Sequence, residues 1–170
     1  MMSLFKQTGL RWLWLAALVL LLDQLTKLAV LQWLPFGYPG LPVVPHLNLV
    51  HVYNKGAAFS FLADQPGWQR WFFTLFALGV SSALLVWLRK LPAAARWSPI
   101  AYSLIIGGAL GNLIDRLAYG HVVDFIDFHV GQWHYPAFNL ADSAICVGAV
   151  MIVLEGLLFR RPQQAGDKPS

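Results

Sequence analysis

Four apolar runs decide most of what this chain can become. They cover about Trp12 to Leu34, Trp71 to Leu88, Ser98 to Leu117 and Phe138 to Phe159. Each holds about the 20 residues needed to cross ~30 Å of hydrocarbon at ~1.5 Å per residue. Of 170 residues, 58% are hydrophobic and 12% charged, too little polar surface to cover such runs in water. The expectation is an all-α membrane protein of four transmembrane helices, one unit over residues 1–170, with 162–170 a disordered tail. The first run resembles a signal peptide, but it is too long and no small-x-small site follows, so it reads as a retained anchor.

Four spans place both termini on one side, and basic residues say which. The N-terminal segment, the loop near residues 89–96 and the tail carry Lys6, Arg11, Arg89, Lys90, Arg96, Arg160, Arg161 and Lys168, whereas the opposite loops carry Lys55 and Arg70. The bias puts the termini in the cytoplasm. It also accounts for most of the net charge of +4, so no nucleic-acid partner is implied.

The two outer connections are more than linkers. Pro35 to Pro45 is rich in Pro and Gly and is expected to turn back over the membrane surface. Leu47 to Tyr53 is β-prone and leads into Asn54-Lys55-Gly56-Ala57-Ala58-Phe59, so a small extended platform is expected on the outer leaflet. Gly56 there would admit a close backbone such as a bound peptide. The second connection, Ala118 to Ala137, holds Asp124, Asp127 and three histidines, with Trp133 and Tyr135 as interface anchors.

Polar groups inside spans are costly, so their depth is informative. Asp23 and Lys27 fall in the outer half of the first span, Asn112, Asp115 and Arg116 in the outer part of the third, and Asn139 and Asp142 at the start of the fourth. Glu155 is the exception near the inner end. This distribution describes one pocket opening outward. Asp23 and Lys27 stand four apart, as an ion pair that positions a loop or as direct substrate contacts. Gly108, Asn112 and Arg116 share a face, with Asn112 and Arg116 read as groups behind the reacting ones or as headgroup ligands. Gly107 and Gly111 offer a close-packing surface.

Asp124 and Asp142 are expected at the same end of neighbouring helices. Two carboxyls held close share a proton, because the second charge is repelled by the first. The ionised member can activate water while the protonated one donates to a scissile carbonyl, as in an aspartyl peptidase. Asn54, Asn112 and Asn139 could hold the substrate backbone without adding charge. Asp115 and Asp127 are expected to be solvated interface carboxylates, and Cys146 a small packing residue inside the membrane. No metal or other cofactor is expected: His121, His129 and His134 have no compact ligand spacing, and Ser60, Ser81, Ser82 and Ser143 lack a nucleophile context.

Five stretches, Asp23-Gln24-Leu25-Thr26-Lys27, Asn54 to Phe59, Gly107 to Arg116, Val122-Val123-Asp124-Phe125 and Phe138-Asn139-Leu140-Ala141-Asp142, together resemble the bacterial lipoprotein signal peptidases, the signal peptidase II family. The resemblance covers all four spans and both outer loops. It implies an aspartic endopeptidase of the bacterial inner membrane that removes the signal peptide from prolipoproteins, cutting before a diacylglyceryl-modified Cys. It further implies Asp124 and Asp142 as the catalytic pair, with Asp23, Lys27, Asn54, Gly56, Gly108, Asn112, Arg116, Asn139 and Ala141 as supporting or substrate-contacting positions. The partners expected are diacylglyceryl-modified prolipoprotein substrates and membrane phospholipid, with the protein itself a monomer. The alternatives are a small proton-coupled transporter subunit, which needs ionisable groups through the full depth or repeat symmetry, and a non-catalytic scaffold.

Overall fold

The computed structural model describes Phe5 and residues 7–56 and 67–158. Lys6, the Ala57-Ala58-Phe59 part of the second motif, Ser60, the end of the fourth run at Phe159, the basic residues Arg160, Arg161 and Lys168, and the 162–170 tail lie outside the described residues.

Four helices are long and apolar enough to cross a membrane. A one-turn 3-10 helix, Gly9–Trp12, leads into α1, Leu13–Trp33. The others are α2, Trp68–Lys90, α3, Trp97–Tyr119, and α4, Leu140–Leu158. Arg89 and Lys90 therefore form the last turn of α2, where cations complement the helix carbonyls. The fourth helix begins two residues later than its apolar run, because Phe138 is engaged in a β-bridge with Ile126 and Asn139 serves as the cap.

The central helix is α3, with 56% of its most apolar stretch buried against 17–28% for the other three. Its glycines make this possible. A Cβ on Gly107 would lie 2.6 Å from the Ala16 carbonyl of α1, and one on Gly108 would strike the Ala141 carbonyl of α4. Backbones can approach this closely only where side chains are missing. At the end of the bundle away from the sheet, Ser98 donates to Glu155 at 2.6 Å and Trp97 Nε1 donates to the Met151 carbonyl at 2.7 Å, fastening α3 to α4.

The platform is a four-stranded antiparallel sheet in the order β1-β2-β3-β4. Its strands are β1, Gly37–Val44, β2, Leu47–Asn54, β3, Val122–Val130, and β4, Trp133–His134. The Pro-rich stretch expected as a turn is thus a strand. It lies at the sheet edge, where the N–H that Pro39 and Pro42 lack is not needed by a further neighbour. The connection after α3 is likewise mostly sheet, so Asp124 sits on a strand rather than at a helix end. Val30 of α1 packs with Val123 and Phe125 beneath the sheet and ties it to the bundle.

Three further expectations change. Asp115 and Asp127 are buried, 1% and 0% exposed, because each has polar partners that replace water. Cys146 is exposed on the outer surface of α4, facing away from the other helices rather than packing among them.

Candidate active site

Asn139 is the residue on which the site converges. As N-cap of α4, its Oδ1 accepts from the Asp142 amide at 2.9 Å, while Asp142 Oδ2 accepts from the Asn139 amide at 3.3 Å. This reciprocal capping box satisfies two otherwise orphaned helix donors and locks the Asp142 side chain over the helix tip. The Asn139 side-chain amide then points the other way, donating to Asp124 Oδ1 at 2.8 Å, Asn112 Oδ1 at 3.1 Å and the Val123 carbonyl at 3.3 Å. One fully buried asparagine therefore touches both carboxyl groups.

The second oxygen of each carboxyl is held by a different element. Asn54 Nδ2, at the end of β2, donates to Asp124 Oδ2 at 3.0 Å. The Asn54 Oδ1 accepts from the Gly56 amide at 2.8 Å, which fixes the amide so that its donor end faces Asp124. Gly56 holds φ at 101°, and a Cβ there would press on the Phe73 ring at 2.7 Å. On the other side, Asn112 Nδ2 of α3 donates to Asp142 Oδ1 at 2.7 Å.

Lys27 decides how Asn112 points. Its ammonium, 2% exposed as a residue, contacts Asp23 at 2.8 Å, Asp115 at 3.0 Å and Asn112 Oδ1 at 2.9 Å. With Oδ1 accepting from both Lys27 and Asn139, the Asn112 amide nitrogen is left for Asp142. The two carboxylates around Lys27 are tied in turn to the backbone: Asp23 Oδ1 accepts from the Ala141 amide at 2.9 Å, and Asp115 Oδ2 from the Val123 amide at 3.1 Å. These bonds lie next to Asp142 and Asp124 in sequence. Gln24 closes the cluster, donating to Asp115 Oδ1 at 3.0 Å and to the Gly111 carbonyl at 3.2 Å.

The structure brings the expected positions close together, and all but Arg116 join or directly support one network. Asp23, Lys27, Asn54, Asn112, Asn139, Ala141, Asp124 and Asp142 belong to one hydrogen-bonded network, Gly56 orients Asn54, and Gly108 packs on the Ala141 backbone. Arg116 lies beside it, with its guanidinium over the Phe73 ring at 5.2 Å and one donor to the Asn112 carbonyl at 3.3 Å. Sequence reasoning missed Gln24 and Asp115. The signal for Asp115 was available: a carboxylate within a span needs a partner, and Lys27 is a cation at the same depth.

Burial sets the electrostatics of Asp124. Loss of water, and then the nearby Asp142 charge, push its pKa up to about 7, against the opposing hydrogen bonds from Asn54 and Asn139 and the charge of Lys27. A carboxyl of this kind exchanges its proton near neutrality, and the arrangement suits acid–base work on a neutral substrate. Among the described residues, no group of three or more His, Cys, Asp or Glu is placed to hold a metal ion.

Comparison with known proteins fits this geometry. A family model described as signal peptidase (SPase) II matches residues 15–158. The chain is similar to a protein of Aeromonas hydrophila subsp. hydrophila named lipoprotein signal peptidase, 67% identical over 163 residues that cover 96% of each chain. A protein of the same name from Tolumonas auensis is 57% identical, over 93% of this chain and 96% of the relative. Two solved structures described as bacterial membrane enzymes align with a TM-score of 0.75 at 30% and 33% identity, covering 92% and 89% of this chain and 94% of each of theirs.

Proposed function

This chain belongs to the signal peptidase II family, and from that premise we propose that it is a lipoprotein signal peptidase of the aspartic type. It removes the signal peptide from prolipoproteins and cuts before the diacylglyceryl-modified Cys. The observation that carries the catalytic assignment is the double engagement of Asn139, whose side chain binds Asp124 at 2.8 Å and whose backbone binds Asp142 at 3.3 Å.

In this reading Asp124, with its pKa near 7, carries the shared proton and donates it to the scissile carbonyl oxygen. Asp142 takes a proton from water, which attacks the carbonyl carbon. The tetrahedral intermediate then collapses as the leaving nitrogen is protonated. Asn112, Asn139 and Asn54 hold the two carboxyls, and the Asp23–Lys27 pair holds Asn112 and the start of α4. Arg116, with most of its donors uncommitted to the network, binds the polar part of the substrate. A lipid-bearing Cys at the outer end of a membrane-held signal peptide presents its scissile bond at the depth of the α4 tip. The protein acts as one four-span unit in the inner membrane, both termini cytoplasmic, as a monomer among phospholipids.

The test uses purified protein and a synthetic diacylglyceryl-modified precursor peptide. Asp124→Asn and Asp142→Asn should each lower cleavage by about a thousandfold or more, with helicity and melting retained and with no effect of a chelator on the wild type. Cleavage by either variant at near wild-type rates overturns the aspartic assignment.

A further inference from the structure

Besides Asp124, β3 holds a second buried carboxylate that the proposed chemistry does not use. Asp127 has no exposed surface. Its Oδ2 accepts from Asn48 Nδ2 at 2.9 Å and its Oδ1 is 2.8 Å from His134 Nδ1. Asn48 is its direct partner in the β2–β3 ladder, and His134 lies on β4. One carboxylate thus joins three strands, each of which leads to the site: β2 to Asn54, β3 to Asp124, and β4 through Phe138 to Asn139 and Asp142.

The ladder between β2 and β3 changes register on the way. At its outer end Leu47, Asn48 and Leu49 face Phe128, Asp127 and Ile126. Continued unchanged, that pairing would set Val52 against Val123. Instead Val52 faces Asp124, Tyr53 faces Val123 and Asn54 faces Val122, so β2 carries one extra residue between Leu49 and Val52. The consecutive burial of Val50 and His51 marks the place, since side chains on a regular strand alternate. A one-residue slip turns every side chain to the opposite face, and here it would carry Asn54 away from Asp124.

We propose that Asp127 is a positioning residue for the reaction: its bridge to Asn48 and His134 locks the outer register and thereby holds the bulge that delivers Asn54 to the Asp124 carboxyl. The inference rests on the reading of Asp124 as catalytic. His134 Nδ1 can donate to Asp127 both as the Nδ1–H tautomer of the neutral ring and as the cation. Of the groups around the bridge, His129 stacks on His134 with ring centroids 5.1 Å apart, and Tyr38 is pushed up from 10.0 by burial and by Asp127 and Asp124 and stays neutral. The consequence is read at Asp124 itself. Without Asn54 it loses a bond that favours its ionised form, while Asp142, Asn139 and Lys27 still act on it.

The full-length protein in lipid vesicles, with the synthetic lipidated precursor, tests this. Asp127→Ala should lower kcat about tenfold with KM changed by less than about threefold. The pH limb of kcat/KM assigned to Asp124 should move upward by about half a unit, as it does in Asn54→Ala, and the double variant should add little. The swap Asn48→Asp with Asp127→Asn keeps one amide–carboxylate bond and an acceptor for His134, and it should restore kcat to within about threefold of wild type. Amide exchange over residues 47–54 should accelerate in Asp127→Ala and return in the swap. If Asp127→Ala does not fold, Asn48→Ala, which keeps the His134 bond, takes its place in every measurement. A lower melting temperature with wild-type kcat and limb means a structural role only and overturns the proposal, as does failure of the swap. Cleavage surviving in Asp124→Asn would sink the aspartic reading instead, and the exchange over 47–54 would still decide whether Asp127 sets the register.

Discussion

Asp124 illustrates how a single group links protonation to folding. Its folded pKa near 7 lies above the ordinary 3.8, so between about pH 4 and 7 the folded protein holds a proton that the unfolded chain has released. Stability from this group is therefore greatest below about pH 4 and falls as pH rises to 7, the reverse of a salt-bridged aspartate. Melting curves of the wild type should decline over that window relative to Asp124→Asn, which has no such proton to lose. On the proposed mechanism the same titration should set the upper limb of kcat/KM, with activity falling above about pH 7, as a pH–rate profile checks. Lys27 behaves differently. Lys27→Met leaves Asp23 and Asp115 buried without their cation, and should cost about 3–5 kcal/mol of stability in addition to activity. Thermal melts in detergent check this. Most of the site was legible in the sequence because charged residues inside apolar runs are few. Asp127 was not, since its burial depends on Asn48 and His134, partners on other strands.

At the scale of elements, the helices and the β2 strand of the platform were legible, and strands β1 and β3 were not. Unbroken apolar length identifies a span regardless of its neighbours. Strand β1 is disguised by Pro39 and Pro42, and β3 by burial on both faces, which removes the alternation that betrays a strand. The assignment of Asp124 to a helix end followed from that gap. The junction of α3 and α4 offers a test of element packing. Gly108→Ala places a methyl against the Ala141 carbonyl, next to Asp142 and the Asp23 bond. It should destabilise by about 1–3 kcal/mol and lower kcat, whereas Gly79→Ala, on a surface with nothing within 4 Å, should change neither. Paired melting and cleavage assays separate the two outcomes.

For the molecule as a whole, the distribution of polar groups argues against transport. The buried ionisable cluster lies at the sheet end of the bundle, and Glu155, bonded to Ser98, is the one carboxylate toward the other end among the described residues. Between them α3 packs on α1, α2 and α4 through apolar side chains such as Leu84, Leu88 and Ile106, each 5% exposed or less. Vesicles containing the protein should hold an imposed pH gradient as long as protein-free vesicles do, measured with a trapped fluorescent indicator. A faster decay would revive the transporter reading. Asp23, Lys27, Asp115, Asp124 and Asp142 can sit among membrane-long helices without a relay of ionisable side chains reaching the far end of the bundle among the described residues, so an acid–base centre need not be a leak.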